Sequence, residues 1–230
     1  MNLDFGEIWR DEFDTLDKAL LIIALLAAPL YIIIRSGGPF PADFIIKAMP
    51  AIFLGLLALK HVSGRKGILL CLALLFCAGG DIALALDRRQ YFVYGLALFL
   101  VGHILFIMLF LRDFHYQPVW VKPALLLLLY GMIMGVFLIP RLGALLVPVV
   151  IYILVITSMG IAALFLNHPS KIAFYGSIFF ILSDSFIALN KFLAPNEITR
   201  FLILPTYYIA LFLIAGGYLF SRRVVTGEAG

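Results

Sequence analysis

Charge is scarce in this chain, and cysteine is scarcer. Only 13% of the 230 residues are charged, 64% are hydrophobic, and the mean hydropathy is +1.11. A soluble domain could not cover its surface with so few polar groups. The two cysteines, Cys71 and Cys77, share one apolar stretch. They cannot readily bridge to each other, and they cannot supply a four-ligand metal site, so they read as small packing residues. There is no His/Cys cluster either, so neither a metal nor another cofactor is expected. The basic start and small-residue cleavage site of a signal peptide are missing. No linker is long enough to divide the chain into two domains.

The chain does hold long, continuous apolar stretches, which read as helices rather than the alternating strands of a barrel. Eight spans are expected: Ala19–Ile34, Asp43–Leu59, Gly67–Leu86, Tyr91–Leu111, Val119–Leu138, Leu145–Leu166, Lys171–Leu189 and Thr199–Phe220. The fold class is therefore all-α, a polytopic membrane bundle of eight transmembrane helices with short loops. Residues 19–220 form one domain and 221–230 a short tail. Residues 1–18 hold six acidic residues against Arg10 and Lys18. Phe5, Ile8, Trp9, Phe13 and Leu16 fall on one helical face, which suits an interfacial amphipathic helix as well as it suits a partly ordered acidic tail. Loop Lys and Arg residues favour the side that carries both termini, which points to cytoplasmic termini in a cell membrane, a bacterial inner membrane by expectation. The net charge of +4 follows from this loop bias and fits anionic lipid headgroups better than nucleic acid.

Two aspartates stand inside apolar stretches in matching frames, Gly80-Asp81-Ile82-Ala83-Leu84-Ala85-Leu86-Asp87 and Ser183-Asp184-Ser185-Phe186-Ile187-Ala188-Leu189-Asn190. A carboxyl group in hydrocarbon is costly, and its presence points to function. Each lies about five residues before its span ends, roughly 7–8 Å below the surface at about 1.5 Å per residue. Lys47, Tyr152, Tyr207 and Tyr208 fall at similar depth from the same side, with His103 nearer mid-membrane. Each has a plain alternative. Lys47 can snorkel, His103 can bond across helices, and tyrosines favour interfaces. Asp81 and Asp184 can form structural pairs with Lys47 or a tyrosine. Asp87 and Asn190 sit at span exits, where water can reach them.

Gly80-Asp81, Gly102-His103, Tyr152 with Met159, Ser183-Asp184, Asn190-Lys191-Phe192 and Tyr207-Tyr208 together resemble the YhhN family, whose characterised members are lysoplasmalogenases. The resemblance runs from about Lys47 to Tyr208. Two positions differ from the family pattern: Ala48 follows Lys47 where proline is frequent, and Ala210-Leu211 stands where a polar residue often follows the tyrosine pair. The resemblance implies hydrolysis of the vinyl ether of a lysoplasmalogen to a fatty aldehyde and glycerophosphoethanolamine or glycerophosphocholine. It implies Asp81 and Asp184 as catalytic residues, with Lys47, His103, Tyr152, Ser183, Asn190, Lys191, Tyr207 and Tyr208 binding the lysophospholipid. The residue types suit that chemistry on their own account. Vinyl ether hydrolysis needs an acid to protonate carbon and a negative charge beside the oxocarbenium-like cation that forms. Two neighbouring carboxyls can divide these tasks, as in glycoside cleavage. Which aspartate is the acid stays open at this level.

Two other classes share features with the chain. Di-aspartyl intramembrane proteases also pair aspartates from two helices, but carry Gly-x-Gly-Asp and usually Tyr-Asp; the frames here, Ala78-Gly79-Gly80-Asp81 and Leu182-Ser183-Asp184, match neither. A transporter is suggested by the four-span separation of the aspartate frames. For a single-chain lipid, a pocket open to one surface is expected, its tail channel lined by Phe179, Phe180 and Phe186.

Overall fold

The computed structural model describes residues 13–38, 40–87, 90–166 and 172–220. Among these, eight helices are long and apolar enough to span a bilayer. They are α1 (Thr15–Ser36), α2 (Asp43–His61), α3 (Gly64–Leu86), α4 (Phe92–Phe110), α5 (Val121–Leu138), α6 (Leu146–Leu164), α7 (Ile172–Ala188) and α8 (Glu197–Leu219). The protein is a multi-pass integral membrane protein, and the expected spans match these helices to within a few residues. The interfacial face of Phe5, Ile8 and Trp9, the tail 221–230, and the loop charges Arg10, Arg88, Arg89, Lys171, Arg222 and Arg223 lie outside the described residues.

Local chemistry explains where the elements begin and end. Helix α1 starts at a reciprocal cap, with the Asp17 N–H donating to Asp14 Oδ1 at 2.8 Å and the Asp14 N–H donating to Asp17 Oδ2 at 3.1 Å. The cap sets the start a turn earlier than hydropathy alone suggests. Helix α8 starts at Asn196, whose side chain accepts from the Ile198 N–H at 2.8 Å. Helix α7 runs into one π-helical turn, Leu189–Leu193, before the chain reverses at Pro195; such turns recur at functional sites.

Neighbours in sequence pack against each other, most extensively α7 with α8, α2 with α3, and α3 with α4, while α2 also meets α8 and α4 meets α6. Small residues permit the close approaches. At Gly176 in α7, an added Cβ would lie 2.8 Å from the Ile214 nitrogen of α8. At Gly80 it would lie 2.6 Å from the Phe99 ring of α4. The centre is filled by Phe106, Phe180, Met159, Leu70 and Leu74, all fully buried. Helix α5 lies at the periphery, with only Gly131 and Leu138 buried.

Antiparallel connection brings the C-terminal ends of α1, α3 and α7 together with the N-terminal ends of α2, α4, α6 and α8. Both aspartates are at this end. The other end carries an ion-pair knot in which Lys60 Nζ lies 2.6 Å from Asp14 and 2.9 Å from Asp17, and His61 Nε2 lies 2.9 Å from Asp17.

Candidate active site

Asp81 is 1% exposed. Lys47 Nζ, from the second turn of α2, lies 3.1 Å from its Oδ1 and donates to the Asp81 carbonyl at 3.3 Å. The Tyr207 hydroxyl of α8 donates to Asp81 Oδ2 at 2.5 Å. Tyr208, next along α8, donates to the Lys47 carbonyl at 3.1 Å. Lys47 is thus not a snorkelling side chain. It is buried and its ammonium is turned inward, where a charge is tolerated only when paired and hydrogen-bonded.

Asp184 has different company. The Tyr152 hydroxyl of α6 donates to its Oδ2 at 2.5 Å. His103 Nε2 of α4 lies 3.9 Å from the same oxygen, too far for a hydrogen bond. His103 is wholly buried, and neither ring nitrogen has a hydrogen-bond partner. Its ring packs edge-on against Tyr152 and Phe180, with centroids 5.3 and 4.5 Å away.

The two arrangements are counterparts. Each aspartate comes from the third helix of a four-helix half. Each receives a polar group from the second helix of its own half, Lys47 for Asp81 and Tyr152 for Asp184. Each is approached by a group from the fourth helix of the other half, Tyr207 for Asp81 and His103 for Asp184. The halves therefore exchange side chains across the centre. Phe180 stands between them, 5.5 Å from Tyr207 and 4.5 Å from His103 by ring centroids.

Two cavities flank this centre. An apolar one is bordered by Asp184, Tyr152, Phe92, Phe99, Tyr130 and Leu84. A second, about 450 Å³, is bordered by Lys47, Arg35, Arg200, Glu197, Tyr31 and Leu84. Leu84, one turn beyond Asp81, belongs to both walls. The expected phenylalanine channel is not what lines the apolar cavity: Phe180 is fully buried in the aromatic centre, and Phe179 and Phe186 are not on the cavity wall. Phe92 and Phe99 of α4 take that place, because the Asp184 side of α7 faces α4 and α6.

The other expected binding residues are spread more widely. Ser183 donates to the Ile203 carbonyl at 3.0 Å, joining α7 to α8. Asn190 donates to Thr199 Oγ1 at 2.5 Å and accepts from the Asn196 N–H at 3.0 Å, which fixes the π turn to the start of α8. Lys191 Nζ lies 3.9 Å from the Phe92 ring centroid, a cation–π contact at the mouth. Tyr130 donates to Ser185 Oγ at 2.7 Å beside Asp184. Sequence reading passed over Tyr130, Arg35 and Arg200. Tyr130 sits in an otherwise featureless helix, and the arginines read as ordinary loop charges. Among the described residues no group of His, Cys, Asp and Glu could hold a metal ion.

The chain is 33% identical over 204 residues, 83% of each chain, to lysoplasmalogenase TMEM86A of Bos taurus, and 32% identical over the same extent to that of Homo sapiens. It is 33% identical to a lysoplasmalogenase of Mycobacterium bovis over 80% of this chain and 72% of the other. No solved structure matches it. With the YhhN family model matching residues 42–218, most of the chain and both aspartate sites, the protein belongs to the YhhN family.

Proposed function

We propose that this protein is a lysoplasmalogenase, an ether hydrolase that cleaves the vinyl ether of a 1-alkenyl glycerophospholipid without a cofactor. The observation that carries the reading is the inequality of the two aspartates. Asp184 borders an apolar cavity and hydrogen-bonds to a tyrosine, whereas Asp81 is shut in by an ammonium and a second tyrosine. The names of the relatives support a hydrolase over a transporter or a protease.

The steps follow from that inequality. The alkenyl tail lies in the apolar cavity with its vinyl ether beside Asp184. The Asp184 carboxylic acid gives its proton to the β-carbon, and the π electrons form the new C–H bond. The ether oxygen shares the resulting positive charge as an oxocarbenium ion. The carboxylate left on Asp184 stands beside that cation, and the Tyr152 hydroxyl holds the carboxylate in place. Water adds to the cationic carbon and returns a proton to Asp184. The hemiacetal then collapses to fatty aldehyde and the glycerol hydroxyl of glycerophosphoethanolamine or glycerophosphocholine. Asp81 holds Lys47 and Tyr207 at the boundary between the cavities.

Residues 19–220 act as one catalytic domain. With both termini cytoplasmic, the site lies in the outer leaflet of the cell membrane. The test is incubation of detergent-purified protein with lysoplasmalogen and detection of free aldehyde. Absence of aldehyde from folded protein would overturn the reading.

A further inference from the structure

We propose that the basic cavity beside Leu84 is the headgroup site, in which Arg35 and Arg200 grip the phosphodiester of the lysolipid and Glu197 faces its ammonium group. This deepens the lysoplasmalogenase reading and rests on it. Three cationic side chains from three helices border the cavity: Arg35 of α1, Lys47 of α2 and Arg200 of α8. Lys47 is engaged by Asp81. The two arginines are held more loosely. Arg35 Nη1 lies 3.8 Å from Asp43 Oδ2, beyond hydrogen-bond distance. Arg200 meets Glu197 at 3.0 Å, but the two side chains are 56% and 84% exposed, and such a solvated pair contributes little. A phosphodiester suits both guanidiniums, because its oxygens match their fork geometry and both side chains border the one cavity.

Position supports the same assignment. Leu84 separates this cavity from the apolar one that Asp184 borders, and Phe92, Lys191 and Arg200 continue the rim around it. A lysoplasmalogen has its phosphate on one side of the vinyl ether and its hydrocarbon on the other. Laid across Leu84, it puts the phosphate among the arginines, the tail in the apolar cavity, and the vinyl ether near Asp184. An ethanolamine or choline ammonium, beyond the phosphate, reaches Glu197, with Tyr31 and Phe201 on the same wall. One carboxylate among three cations suits a zwitterion better than a simple anion.

The experiment compares two substrates, a 1-alkenyl glycerophosphoethanolamine and the phosphate-free 1-alkenylglycerol, on wild type, R35Q, R200Q and the double variant. Losing charge-assisted bonds to a phosphate costs about tenfold or more in KM. The double variant should therefore lose at least about ten times more kcat/KM on the phospholipid than on the alkenylglycerol, with R35K/R200K recovering part of the difference. E197Q should lower the preference for the ethanolamine lipid over 1-alkenyl glycerophosphate. Equal losses on both substrates would overturn the proposal, since they would make the arginines interfacial anchors of helix ends. If wild type cleaves neither substrate, the hydrolase reading fails. The headgroup site then stands only if lysophosphatidylethanolamine raises the thermal midpoint of wild type more than that of the double variant. If the double variant does not fold, inhibition of wild type decides instead: glycerophosphoethanolamine should inhibit, and an equimolar mixture of glycerol and ethanolamine should not. Equal effects of the two would sink the proposal.

Discussion

Lys47 and Asp81 lie 3.1 Å apart with side chains 6% and 2% exposed, a buried ion pair between α2 and α3. Removing one partner of such a pair strands a charge, which costs about 3–5 kcal/mol. Lys47→Met should therefore lower the thermal midpoint sharply, and Lys47→Met/Asp81→Asn should restore much of the stability without restoring aldehyde release. Thermal unfolding in detergent and the aldehyde assay, run on the same preparations, check both halves. A double variant as unstable as the single one would contradict it.

Asp184→Asn keeps the shape of the side chain and removes the acid. Aldehyde release should fall by at least about a hundredfold, or about 2.7 kcal/mol of barrier, with the midpoint little changed. Tyr152→Phe removes only the 2.5 Å hydrogen bond to the Asp184 carboxyl and should cost about tenfold in kcat. If Asp184→Asn kept more than about a tenth of wild-type turnover, Asp184 would not be the proton donor.

Carbon protonation makes its own demands. A lysolipid with a saturated ether cannot form the oxocarbenium ion by this route. It should compete with substrate and remain uncleaved, and turnover of the true substrate should slow in deuterated water if proton transfer limits. Hydrolysis of the saturated analogue at a similar rate would refute the mechanism.

Gly80 tests the packing behind the site. A Cβ there would sit 2.6 Å from the Phe99 ring, and Phe99 in turn packs edge-on against Tyr207, with centroids 5.9 Å apart. Gly80→Ala should cost about 1–3 kcal/mol of stability and impair activity through Tyr207 and the cavity wall. Gly80→Ala combined with Phe99→Leu, which vacates the space, should recover stability. Unfolding midpoints of the two variants decide the point.

At the opposite end, Asp14 is exposed, and the Lys60 hydrogen bond, aided by the Asp17 N–H, lowers its pKa from 3.8 to about 2. A group whose folded pKa is depressed stabilises the protein above its unfolded value and loses that contribution as pH falls through the folded one. The midpoint gap between wild type and Asp14→Asn should be full above about pH 4 and close by about pH 2. A gap independent of pH over that range would show that the cap, not the charge, holds α1.

Hydropathy, turn residues and the cost of charge in hydrocarbon made eight helices and the shared depth of Asp81, Asp184, Lys47, Tyr152 and Tyr207 legible in the sequence. Each of these depends on one residue and its place along a single helix, and helical rise converts position into depth. Which side chains touch depends on the rotation and neighbours of each helix, and that was decided only by packing. Repeated frames made the aspartates look equivalent. Tertiary contacts gave one an ammonium and the other a cavity. The phenylalanines of α7 do not line the apolar cavity because small residues in α3 and α7 draw α4 and α8 close, which turns Phe180 into the centre and leaves Phe92 and Phe99 on the wall. Arg35 and Arg200 stand 165 positions apart in sequence and at the ends of different helices; only the meeting of α1 with α8 puts both on one cavity.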